Sequence, residues 1–198
     1  MRLTSALIAV LVGISCFRSS PTLADSFGKF PGKGSLEAYN RSCRPLNKAL
    51  QLDSSGDVAG AIRLTREAIA IYPYDSASHQ NLGEFLEKTG KIEEAIKEHL
   101  QAVSLEPKML GAWLSLGNEY ELQKKFEDAE RCYRRSVEIK DSSYEALCDL
   151  GDILRKQGKF EESRKWLLRA MKSPGYATAR PGEIQRKLRQ CDRKDTSD

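Results

Sequence analysis

The chain has 198 residues, 30% of them charged, with 32 Lys and Arg against 28 Asp and Glu and a formal net charge of +4. That length suits one domain, and the absence of a basic block or of interleaved aromatic and basic residues argues against a nucleic-acid partner. The sequence holds no G-x-G-x-x-G, P-loop, H-E-x-x-H or C-x-x-C-H, and its cysteines lack metal-site spacing; the expectation is a protein that is not an enzyme and takes no cofactor or metal.

Residues 1–24 have the layout of a secretory signal peptide. Arg2 gives a basic start, Leu3 to Phe17 carry no charge, and Thr22-Leu23-Ala24 offers a small-residue cleavage site. The apolar run falls short of the roughly 20 residues that span a bilayer. A membrane association is expected only if the leader is retained or Cys16 is lipidated, and Gly13-Ile14-Ser15 ahead of Cys16 makes a poor lipidation site. The expected destination is the periplasm or the cell exterior, with the secretory lumen as the counterpart in a eukaryotic cell. Losing Arg2 and Arg18 with the leader lowers the net charge from +4 to +2. Residues 25–41 hold four Gly or Pro residues among their first eleven and read as a linker, with helix starting near Arg44 or Pro45, where proline is tolerated in a first turn.

From residue 42 onward, landmarks recur every 34 residues. Leu82-Gly83, Leu116-Gly117 and Leu150-Gly151 keep that step, as do Ala61, Ala95, Ala129 and Ser163, and again Ala68, Ala102, Ser136 and Ala170. A fixed step of this size implies stacked units rather than one compact core. The units read 42–75, 76–109, 110–143 and 144–175, each a first helix, a short turn and a second helix. Position 15 of each unit is Gly56, Gly90, Lys124 or Gly158. Glycine leaves a helix in the left-handed region at little cost, so Lys124 should strain its turn. Prolines Pro73, Pro107 and Pro174 end second helices. The glycine at position 8 weakens its helix by about 1 kcal/mol, so its recurrence in three units implies that a side chain there would push the first helix off its partner. Residues 176–190 supply a polar capping half-unit, and 191–198 a frayed polar tail.

Trp113-x2-Leu116-Gly117-x2-Tyr120, followed by Ala129-x3-Tyr133-x2-Ser136, resembles the tetratricopeptide repeat. The other three units repeat the pattern in phase, the first most loosely. The resemblance implies an all-α fold: a right-handed superhelical solenoid of antiparallel helix pairs, about four repeats plus a capping helix, with a concave groove lined by first helices. It places Asn47, Gln80, Asn81, Glu84, Asn118, Glu121, Asp149 and Asp152 in that groove. Asparagine both donates and accepts, as clamping an extended peptide backbone requires. The expected function is a protein- or peptide-binding scaffold or adaptor in an exported compartment. The expected partner is a protein or extended peptide of basic or neutral charge, because the groove is rich in carboxylates. Family members that grip an acidic chaperone tail use basic residues at positions that here hold Leu46, Gly111 and Ser115, or Gln80, Glu145 and Asp149. A structural assembly subunit working through convex or end surfaces, or an accessory module of a catalytic complex, is the alternative. His79 and His99 fall on packing positions and read as structural. For Cys43, Cys132, Cys148 and Cys191 two readings stay open: small buried hydrophobes or, after export, disulfides such as one joining Cys132 and Cys148.

Overall fold

The computed structural model describes residues 35–178 and 181–195, so the expected leader and residues 25–34 of the expected linker lie outside the described residues. Their regular structure is entirely helical: α1 (Leu36–Ser54), α2 (Val58–Ile71), α3 (Ser76–Lys88), α4 (Ile92–Leu105), α5 (Leu110–Leu122), α6 (Phe126–Ile139), α7 (Tyr144–Lys156), α8 (Phe160–Met171), a 3-10 turn (Pro174–Thr178) and α9 (Pro181–Asp195). None of these helices is long and apolar enough to cross a membrane. The chain divides into two units, Met1–Pro107 and Lys108–Asp198.

In the N-terminal unit α1 packs on α2 and α3 on α4, with α2 joining the pairs. Ala49, Ala61, Ile62, Leu82, Phe85, Leu86 and Ala95 form the core. In the C-terminal unit α5 packs on α6 and α7 on α8, α6 contacts α7, and α9 covers α8. Its core runs from Ala129 and Tyr133 through Leu147, Leu150, Ile153, Leu154 and Leu167 to Ile184 and Cys191. The helix-pair architecture expected from the period is present in both units.

The close approach expected at position 8 is visible in three pairs. A Cβ on Gly83 would lie 2.4 Å from the His99 ring, one on Gly117 2.3 Å from the Tyr133 ring, and one on Gly151 2.7 Å from Leu167. Small position-20 residues serve the same contact. Ser163, which replaces the alanine of the other units, donates its hydroxyl to the Gly151 carbonyl at 2.6 Å and so adds a bond between the paired helices. The turn glycines Gly56, Gly90 and Gly158 have φ of 90°, 75° and 80°, and Lys124 is forced to φ 59° at the same place. A side chain in that region costs about 1–2 kcal/mol.

Two expectations change. Helix α1 begins at Leu36, well before Arg44. Ser35 caps it by accepting from the Ala38 amide at 3.1 Å, and Tyr39 packs edge-on against Tyr72 at 5.5 Å. Pro45 therefore sits inside α1 rather than in its first turn. At the other end α9 continues past Cys191, which is buried beside Ser163 instead of opening a frayed tail. Of the two readings open for the cysteines, that of small buried hydrophobes holds for Cys132, Cys148 and Cys191, which are free and buried, so Cys132 and Cys148 are not bridged.

Candidate functional site

The residues placed in the groove from sequence lie on the first helices of their pairs. Asn47 is on α1, Gln80, Asn81 and Glu84 on α3, Asn118 and Glu121 on α5, and Asp149 and Asp152 on α7. Asn118 is exposed and the other seven are half-buried. All eight retain accessible surface, but many of their polar atoms already have partners within their own unit.

In the N-terminal unit, Gln80 Nε2 donates to Glu84 Oε1 at 2.8 Å, one turn apart on α3. At the end of the same helix Lys88 Nζ reaches both carboxylate oxygens of Asp53 on α1, at 2.6 and 2.7 Å. The C-terminal unit repeats this cross-pair bridge: Lys156 on α7 binds Glu121 on α5. In both cases position 13 of one unit grips position 12 of the unit before it. The third unit breaks the series, because its position 13 is Leu122, 65% exposed.

Around α7 the carboxylates and cations interlock. Asp152 accepts from Arg155 at 2.7 and 3.0 Å and lies 3.3 Å from Lys156 and 3.7 Å from Lys187 on α9. Lys187 also lies 3.3 Å from Glu183. Burial raises the Asp152 carboxyl, but Lys187, the Arg155 bond and the nearby Lys156 charge outweigh it and hold the pKa below the ordinary value. Asp149 is pushed the other way, up to about 7. Burial is the main cause; Glu145, Glu121 and Asp152 add to it, and Lys187 opposes them. This carboxyl therefore changes charge near neutrality, whereas Asp152 stays ionised.

Sequence reasoning missed two residues here. Tyr133 reads as a packing landmark, yet its hydroxyl donates to Asn118 Oδ1 at 2.8 Å and lies 3.3 Å from Glu121 Oε2. This leaves the Asn118 amide nitrogen as the outward donor. Lys187 reads as one charge among several on a polar cap, yet it enters the carboxylate cluster from α9. Its position could have been found only by extending the repeat numbering into the half-unit and asking which cap residues share the first-helix face.

Among the described residues there is no group of three or more His, Cys, Asp or Glu side chains placed to hold a metal. The Cys132 thiol is pushed up to about 12, chiefly by burial, and burial also raises Cys148. Neither thiol is poised as a thiolate nucleophile.

The geometry defines a repeat scaffold built from antiparallel helix pairs. Residues 64–97, 111–143 and 144–174 each match the tetratricopeptide repeat, and the chain belongs to that family. Solved structures share the fold. The first tetratricopeptide domain of Spaghetti (RPAP3), bound to the HSP90 peptide SRMEEVD, is 20% identical, with a TM-score of 0.57 over 59% of this chain and 93% of that one. YrrB, described as a tetratricopeptide protein with an unusual peptide-binding site, is 17% identical with a TM-score of 0.66 over 78% of each chain. MamA is 15% identical with a TM-score of 0.64 over 78% of this chain and 91% of that one. No curated protein sequence matches the chain.

Proposed function

We propose that the chain is a peptide- or protein-binding scaffold that holds an extended partner segment along its first helices. The observation that carries this reading is the row of half-buried Asn, Gln and Glu side chains on α3. Asn81 offers a donor and an acceptor to a peptide backbone, and the Gln80–Glu84 pair offers a carboxylate beside it. Two proteins of the same fold, the Spaghetti domain with its bound peptide and YrrB with its peptide-binding site, support the reading by analogy of fold.

The partner segment is basic or neutral, and neither nucleic acid nor a cofactor enters the reading. Its charge selectivity comes from α3 more than from α7, because Arg155, Lys156 and Lys187 already offset much of the α7 carboxylate charge. The signal-peptide pattern at residues 1–24 supports an exported setting for this activity: the periplasm, the cell exterior or, in a eukaryotic cell, the secretory lumen. The assembly-subunit alternative has less support: the exposed leucines on second helices, Leu100 and Leu168, are 44% and 43% exposed and stand on different helices in different units.

The test is binding of the full chain to a library of extended peptides in which net charge is varied at fixed length. Wild type should prefer Lys- and Arg-bearing members, Glu84→Arg should reverse that preference, and Asn81→Ala should weaken all members about tenfold. Binding unchanged in both variants overturns the groove reading.

A further inference from the structure

Position 4 of the repeat is Pro45, Trp113 or Leu147 in three units, and His79 in the second. Only the histidine can carry a proton there. Its side chain is 9% exposed, and both ring nitrogens are engaged: Nδ1 lies 2.7 Å from Glu98 Oε2 on α4, and Nε2 lies 3.1 Å from the Pro73 carbonyl in the turn between α2 and α3. A carboxylate and a carbonyl accept hydrogen bonds and donate none. Both contacts are satisfied together only when each ring nitrogen bears a hydrogen, which is the imidazolium.

We infer that His79 is a proton-operated clasp: its imidazolium ties the α2–α3 turn at Pro73 to Glu98 of α4, and loss of the proton releases the turn. The neutral ring keeps its single hydrogen on Nδ1, since the bond to a charged carboxylate is the stronger of the two. The Nε2 lone pair then faces the Pro73 carbonyl oxygen with no hydrogen between them. Pro73 is exposed, so water can take over that carbonyl once the turn moves.

The surroundings agree with a held proton. Glu98 acts on the ring from α4 and Asp75 from the turn ahead of α3, while on the α2 side Tyr72 closes the helix with its phenol buried. Asp75 is itself fixed, accepting from the Ser78 amide at 3.2 Å and the Ser78 hydroxyl at 2.5 Å. Burial lowers the His79 pKa, but the Glu98 bond, the Pro73 bond and the charges of Glu98 and Asp75 outweigh it and raise it above the ordinary value. Because the folded value is raised, the clasp contributes its full stability below the unfolded value of about 6.5 and loses it as pH rises through the folded value. The neighbouring Gln80, Asn81 and Glu84 ride on the helix that the clasp seats, but the clasp does not depend on their binding anything.

Nitrogen-detected NMR of the full chain reads this directly, because His99 is the one other histidine and the His79→Asn spectrum assigns the signal. Below its midpoint the His79 ring should show two N–H groups, and the midpoint should lie above 6.5. The backbone amides of Tyr74 and Asp75 should shift with the same midpoint. Glu98→Gln should lower both midpoints together by about one pH unit, a tenfold loss of proton affinity. A His79 midpoint at or below 6.5 overturns the clasp. So do turn amides that ignore the ring titration, or a Glu98→Gln variant that leaves the midpoint unmoved. The wild-type titration decides the matter even if a variant fails to fold.

Discussion

The two units solve the same packing problem with different chemistry. Where a first helix closes on its partner at position 8, the N-terminal unit sets Gly83 against the imidazole of His99. The C-terminal unit sets Gly117 against a tyrosine ring and Gly151 against a leucine. The N-terminal unit also buries Thr65, Asp75, Ser76, Ser78 and both histidines; the C-terminal unit buries Glu119, Ser136, Ser143 and Ser163 beside a longer apolar run closed by Ile184 and Cys191 of α9. The repeat fixes where helices touch and leaves open whether the contact is polar or apolar. Both units bury polar groups; the N-terminal one adds two histidines to its core, and the C-terminal one extends its apolar run onto a capping helix.

The largest expected effect tests that cap. Ile184 is 1% exposed and belongs to the C-terminal core. Ile184→Ala should cost about 2–5 kcal/mol, the range for truncating a buried aliphatic side chain. In a repeat protein each unit leans mainly on its neighbours. Hydrogen exchange should therefore accelerate across α7 and α8 while α2 and α3 keep their protection. Uniform acceleration over the whole chain would show that the two units unfold as one, and the contrast between them would lose its energetic meaning.

A smaller effect separates the position-8 contacts. Alanine at Gly117 must displace the Tyr133 ring, whose nearest atom would lie 2.3 Å away, whereas alanine at Gly151 meets Cγ and Cδ2 of Leu167 at the longer distance of 2.7 Å. Gly117→Ala should cost about 1–3 kcal/mol despite its better helix propensity, as overpacking does. Gly151→Ala should cost less. Equal losses in denaturant melts would mean that the backbone approach, and not the facing side chain, sets the limit.

This contact was legible in the sequence because a glycine recurring inside a helix is locally unfavourable and needs a compensating reason. Lys124 was legible in the same way, as a departure from a glycine that its neighbours keep. The partners of the groove residues were not legible. Asn118 is held by Tyr133 from the paired helix, and Asp152 is met by Lys187 from the cap; no periodicity announces either, since the period records only what every unit shares. Helix α1 escaped for a related reason. Leu36 and Tyr39 lie ahead of the first repeat position and are recruited by the Ser35 cap and the ring of Tyr72, a contact between residues distant in sequence.

The smallest effect bears on protons, and it refines the contrast by showing that the C-terminal unit has a proton-linked site of its own. Asp149 titrates at about 7 when folded, because burial and then the charges of Glu145, Glu121 and Asp152 oppose its ionisation more than Lys187 supports it. In the unfolded chain it titrates near 3.9. Between those values the folded chain holds a proton that the unfolded chain has lost. Its contribution is thus complete below about pH 4 and drains away as pH rises to 7, with the carboxylate uncomfortable above that. Asp149→Asn should flatten this slope and stabilise the chain at pH 8, by on the order of 1 kcal/mol once solvent screening of a half-buried group is allowed for. His79 loses its stabilising proton in the same direction, but there the proton fills a gap between two acceptors, while at Asp149 it removes a charge from a crowd of like charges. Thermal melts of Asp149→Asn and His79→Asn across pH 5 to 8 tell the two apart. Each variant should remove part of the pH slope, and the double variant should remove the sum. If Asp149→Asn leaves the slope intact, Lys187 neutralises the α7 cluster more completely than its 3.7 Å contact with Asp152 indicates, and the proton sensitivity belongs to the N-terminal unit.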